Sequence, residues 1–146
     1  MRRLRIEAKS VALALLFATL GASASETPHF NFLLHCAGCH QSDGSGLSDG
    51  SVPTFKGSLG HFVRTAEGRA FLVQVPGSSQ SPLSDQDLAD VLNWLLIDLC
   101  GAELPEKFER YTAEEVRKLR DTPLTDVKSQ REHIVSELRA GGYDAQ

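Results

Sequence analysis

Cys36-Ala37-Gly38-Cys39-His40 is the stretch on which the reading of this chain turns. Two thiols at this spacing reach the two vinyl groups of a haem, and the imidazole that follows directly comes to lie beneath the iron. Cys36 and Cys39 are therefore expected to form thioethers, with His40 as the proximal metal ligand. The small Ala37-Gly38 pair lets the backbone pass close to the porphyrin edge. Two other chemistries use the same letters. A zinc site needs two more convergent Cys or His ligands, but His29, His35, His61, Cys100 and His133 show no paired spacing. A thioredoxin-like redox pair needs strands and helices alternating around it, and none are visible. The expected cofactor is one covalent haem c.

Upstream, Arg2, Arg3, Arg5 and Lys9 precede an apolar run from Val11 to Leu20 and then the small residues Ala22-Ser23-Ala24. These are the three regions of a cleaved secretory signal. The run of 10 residues is half of the roughly 20 that cross a bilayer as a helix, so no membrane span is expected in the mature form. Leu33, Leu34 and His35 precede Cys36, which is not the small-residue context of a lipid anchor. No fuller twin-arginine pattern surrounds Arg2-Arg3, so export by Sec to the periplasm is expected.

Cleavage after Ala24 leaves 122 residues, with 11 of the 15 Lys/Arg and 18 of the 19 Asp/Glu, a net charge of −7. That suits one small domain. An acidic balance argues against nucleic acid and anionic membranes, both of which attract basic faces, and it permits docking to basic protein surfaces. Three cysteines are too few for a disulfide-framed secreted domain. The expected organisation is a signal peptide at 1–24, a haem domain at 25–101 and a charged helical extension at 102–146.

Along the chain, Pro28 to His35 reads as a short first helix with Pro28 near N1 and Phe30, Leu33 and Leu34 on an apolar face. Gln41 to Gly60, rich in glycine and serine, reads as an ordered loop. His61 to Val75 is expected to be partly helical, broken near Gly68 and ended by Pro76-Gly77, with Ser78 to Pro82 irregular. The clearest helix is capped by Ser84, carries Leu88, Val91, Leu92, Leu95 and Leu99 at helical spacing, and closes at Gly101. Beyond it, Thr112 caps one charged helix and a second spans about Asp126 to Arg139. With few large apolar residues, this tail is expected to lie on the surface of the domain or to dock elsewhere, a solvated helical appendage being the plainer reading.

In motif and in order, the segment from about Pro28 to Cys100 resembles the class I c-type cytochromes. The resemblance rests on a helix ending in CAGCH, the Asp43-Gly44-X-Gly46 turn, Val52-Pro53-X-Phe55-X-Gly57, and a last helix opened by Leu83-Ser84-Asp85 and carrying Trp94. It implies an all-α fold whose first and last helices cross beside the haem, with Phe30 meeting Trp94. It also implies that the Pro53 carbonyl accepts a hydrogen bond from His40, orienting the ring and raising its basicity.

The chain departs from that family at the distal ligand, usually a Met about six residues before the last helix. Its only methionine is Met1, and the matching loop reads Gly77-Ser78-Ser79-Gln80-Ser81-Pro82. The iron is then expected to be open or water-bound, or ligated by His61, Lys56 or Cys100, with a potential below that of a His/Met site. The function implied is single-electron transfer, with no substrate transformed, from a periplasmic dehydrogenase to a terminal oxidase or another cytochrome. The alternatives are an open-site haem protein that binds a small gas or peroxide, and an obligate haem subunit of a dehydrogenase.

Overall fold

The computed structural model describes residues 27–146, so the expected signal peptide lies outside the described residues. All regular structure among them is helical, as expected. Helix α1 (Pro28–His35) starts where Thr27 Oγ1 accepts from the Phe30 N–H at 3.4 Å. The motif itself forms one further turn, α2 (Ala37–His40), with His40 N–H bonded to the Cys36 carbonyl at 3.0 Å. After the long loop come α3 (Leu59–Phe62), α4 (Ala66–Gln74) and α5 (Pro76–Ser79). Helix α6 (Asp85–Asp98) has the expected Ser84 cap, accepting from the Asp87 N–H at 3.1 Å. A 3-10 turn at Gly101–Glu103 leads to α7 (Ala113–Arg120), capped by Thr112, and α8 (Val127–Ala140), capped by Asp126. No helix among the described residues is long and apolar enough to cross a membrane.

The first helix crosses the α6 helix, but on a different face from the one the sequence suggested. Phe30, Leu33 and Leu34 are exposed, whereas Phe32 is fully buried. Phe32 lies 5.4 Å from Trp94, and His29 stacks on the same indole at 4.9 Å, so neither contact is made by Phe30. The cause is helical register. The Cys36 N–H bonds to the Phe32 carbonyl at 2.9 Å, so Phe32 stands one turn before the cysteine that must face the interior and shares its side of the helix.

Two further expectations are corrected. Gly68 does not break a helix; it sits in the first turn of α4, where a Cβ would come within 2.3 Å of the Phe62 carbonyl oxygen. The break falls just before, at Thr65, whose extended backbone makes it the N-cap of α4. Likewise, α4 does end before Pro76-Gly77, but the stretch expected to be irregular from Ser78 to Pro82 begins inside the single turn of α5, which takes in Ser78 and Ser79, since Pro76 is already set for a first helical position.

The tail is helical but not a solvated appendage. Tyr111, Val116, Ile134, Val135 and Leu138 join the same buried cluster as Phe62, Phe71 and the α6 leucines. Polar locks hold it there. The buried Asn93 side chain accepts from the Tyr111 N–H at 2.7 Å and donates to its carbonyl at 2.9 Å. Tyr111 Oη donates to the Arg69 carbonyl at 2.8 Å, and Arg69 makes a two-pronged pair with Glu115 at 2.6 and 2.8 Å. Sparse apolar residues suffice because Val116 of α7 and Ile134, Val135 and Leu138 of α8 fall at helical positions that face inward.

Replacing Asn93 with the similarly shaped leucine leaves both backbone groups of Tyr111 buried without partners. The Asn93→Leu protein should therefore lose about 2 to 4 kcal/mol. Urea unfolding followed by circular dichroism measures this; an unchanged midpoint would mean that the tail is not held through this amide.

Candidate haem site

The loop after the motif is folded onto it by backbone bonds. Gln41 takes a left-handed conformation (φ 61°) directly after His40 and turns the chain back. The Gly46 N–H then bonds to the His40 carbonyl at 3.1 Å, the Leu47 N–H to the Val52 carbonyl at 2.9 Å, and the Phe55 N–H to the Gly44 carbonyl at 2.8 Å. Gly46 is needed for more than its φ of 71°. A Cβ there would meet the Val52 oxygen at 2.3 Å and the Pro53 oxygen at 2.7 Å, so only glycine lets the two strands of this loop close.

His40 is thereby held from two sides. Its ring stacks on Phe55 at 4.2 Å. Burial lowers its pKa, and the nearby Pro53 carbonyl opposes that lowering. The contact falls short of a full hydrogen bond, because Nδ1 is a buried polar atom with no completed partner. A neutral imidazole, oriented by an aromatic face and facing one backbone acceptor, suits metal binding through its other nitrogen.

Cys36, Cys39 and His40 share one cavity of about 380 Å³ with Pro53 and Phe55. The rest of its wall is largely apolar, from Leu59 and Phe62 in α3, Phe71 and Leu72 in α4, and Leu88, Val91, Leu92 and Leu95 in α6. Its size lies within the ~300 to 1,000 Å³ range of cofactor sites. Cys39 is exposed and Cys36 half-buried, with burial raising the Cys36 thiol pKa. The three cysteines are not paired with one another. Two thiols at the mouth, an imidazole beside them and an apolar interior fit a haem. They do not fit a zinc site, because the ligating cluster found among the described residues, Glu67, His133 and Glu137, includes neither motif cysteine.

None of the three candidate distal ligands lines this cavity. His61 instead accepts at Nδ1 from Arg64 Nε at 3.4 Å and lies against Tyr143. Lys56 is exposed and paired with Asp43 at 2.6 Å, which holds the Asp43 carboxyl well below the usual carboxylate range. Cys100 is buried, its Sγ directed to the Phe55 carbonyl at 3.6 Å and its pKa pushed up by burial to about 12. Two arginines of the tail went unnoticed in the sequence. Arg131 lines the cavity and donates to the Gln146 backbone oxygen, and Arg120 holds the loop before α6. Nothing marks either one apart in a charged segment.

An all-helical chain folded around an apolar cavity, with CXXCH at its mouth, defines a class of haem-binding protein. Two relatives agree with it. A cytochrome c-552 from one strain of Thermus thermophilus is 31% identical over 123 residues, covering 72% of this chain and 82% of the relative. A second Thermus thermophilus cytochrome c-552 is 33% identical over 108 residues, covering 62% of this chain and 82% of that protein. No family model matches the chain. The chain belongs to the c-type cytochromes.

A methyl group at Gly46 would force apart the backbone that seats Pro53. Gly46→Ala should cost about 2 kcal/mol or more, since positive φ and a buried clash both count against it. Gly50 also has positive φ but faces open space, so Gly50→Ala should cost less. Equal denaturation midpoints for the two variants would contradict the role given to Gly46.

Proposed function

We propose that this protein carries one haem c, joined by thioethers to Cys36 and Cys39 and ligated by His40, and that it moves single electrons between exported redox proteins. The observation that carries the reading is that these three side chains line one mainly apolar cavity of about 380 Å³. A bound haem supplies a one-electron iron couple. The chain's own residues do the rest. Cys36 and Cys39 fix the group at the mouth, where Cys39 is exposed, so that an edge faces a docking partner. His40, with Pro53 behind it, supplies a basic ligand, and the apolar wall keeps water from the interior.

The donor in this reading is a periplasmic dehydrogenase and the acceptor a terminal oxidase or another cytochrome. Periplasmic address rests on the signal-like sequence of 1–24, and the acidic mature charge of −7 suits basic faces on both partners. The tail at 102–146 belongs with the haem domain in this reading, since its Tyr111, Ile134 and Leu138 are spent on the same core. That favours a free carrier over a subunit tethered to a dehydrogenase by its tail.

Covalent attachment predicts a thiol count. The chain has three cysteines, and the unfolded holoprotein should show one reactive thiol, Cys100, and a mass higher by one haem that survives acid-acetone extraction. Three reactive thiols and a mass of bare polypeptide would sink the attachment.

A further inference from the structure

Outside the cavity, three side chains able to bind a metal meet where α4 and α8 pack together. Glu67 stands in the first turn of α4, and His133 and Glu137 lie one turn apart on α8. Their donor atoms all fall within 4.8 Å of one another. His133 Nε2 is 3.7 Å from Glu67 Oε2 and 3.6 Å from Glu137 Oε1. Neither motif cysteine belongs to this group, so it stands apart from the haem reading above.

Three features distinguish it from an ordinary acidic surface. The spacing is too long for hydrogen bonds, which bring nitrogen and oxygen to about 2.7 to 3.2 Å, yet it suits one edge of a coordination shell. Two ligands held about 2.1 Å from a tetrahedral ion stand roughly 3.4 Å apart, so a small shift closes all three donors on one cation. The two carboxylates also lack a permanent counter-charge, since among the described residues no Lys or Arg forms an ion pair with either. Finally, Gln130, one turn before His133, donates from Nε2 to Glu67 Oε1. That bond leaves Oε2 turned toward His133, as carboxylates that bind metals are held by a hydrogen bond to the other oxygen.

We propose that Glu67, His133 and Glu137 form a binding site for a divalent transition cation of the zinc type. One imidazole nitrogen and two carboxylate oxygens bind it, which leaves a fourth position for water. The imidazole selects against calcium and magnesium, which take oxygen ligands. Such an ion ties α8 to α4. Val127 and Arg131 of α8 and Phe71 and Leu72 of α4 line the cavity, so the ion fastens two of its walls together from outside. Because the donors converge only in the folded chain, occupancy adds stability.

The test uses holoprotein stripped of metal by a chelator and titrated with zinc chloride, with binding read by calorimetry and the thermal midpoint by circular dichroism. One zinc per chain is expected, with a raised midpoint that the chelator reverses and that calcium chloride does not reproduce. His133→Ala should abolish the binding and the shift together. Gln130→Ala, which removes no ligand, should weaken binding about tenfold or more through Glu67. The His133 and Glu137 side chains are half-exposed, so His133→Ala and Glu137→Gln leave the core untouched, and their zinc-free midpoints should lie close to that of the wild type. Zinc held elsewhere, at the motif cysteines included, survives these substitutions. A wild type that binds no zinc, or binding unchanged in both His133→Ala and Glu137→Gln, would overturn the site. Binding that leaves the midpoint unmoved would overturn the clamp between the helices.

Discussion

The chain folds around a space that it does not fill by itself. A cavity of about 380 Å³, if fully closed, would cost about 9 kcal/mol at roughly 24 cal/mol per Å³. That lies within the whole stability of a small domain, about 5 to 15 kcal/mol. Water entering at the open mouth reduces the cost, yet the balance remains one in which a bulky apolar guest decides whether the fold persists. Phe62, Phe71, Leu72, Leu88 and Leu92 are core residues whose best partner is the porphyrin face. On the proposed attachment through Cys36 and Cys39, that guest becomes a permanent part of the core.

Around the cavity, each wall has its own means of holding still. The motif wall is set by the backbone bonds that fold residues 41–57 over His40, and it depends on the missing Cβ of Gly46. The wall before α6 is set by Arg120, a residue of the charged tail. Asn93 and Tyr111 then fix the tail to α6 itself. The 102–146 segment is thus tied at several points to the helices that close the site, and its charges are partly structural.

Much of this was legible in the sequence because the signals were local. Capping side chains at Ser84 and Thr112 bond within one turn, so residue type and spacing sufficed. The motif needs only five residues. The face of α1 was misread because exposed Phe30, Leu33 and Leu34 outnumber the single buried Phe32, and amphipathic counting follows the majority. Counting back one turn from Cys36 would have found Phe32. The packed tail was missed because its buried side chains are few and separated by charges. Arg120 was missed because its partners are backbone carbonyls some forty positions away, which no pattern of side chains reveals. The candidate ligands His61, Lys56 and Cys100 were reasonable by chemistry, but none of them lines the cavity.

The central claim is that a covalently held group completes this core, and the most direct measurement is the far-ultraviolet circular dichroism of a Cys36→Ala/Cys39→Ala protein beside the wild-type holoprotein. The account predicts that the variant loses most of its helical signal and unfolds without a cooperative transition. A variant with native-like helix content and a sharp transition would show that the polypeptide closes its own core, and would contradict it.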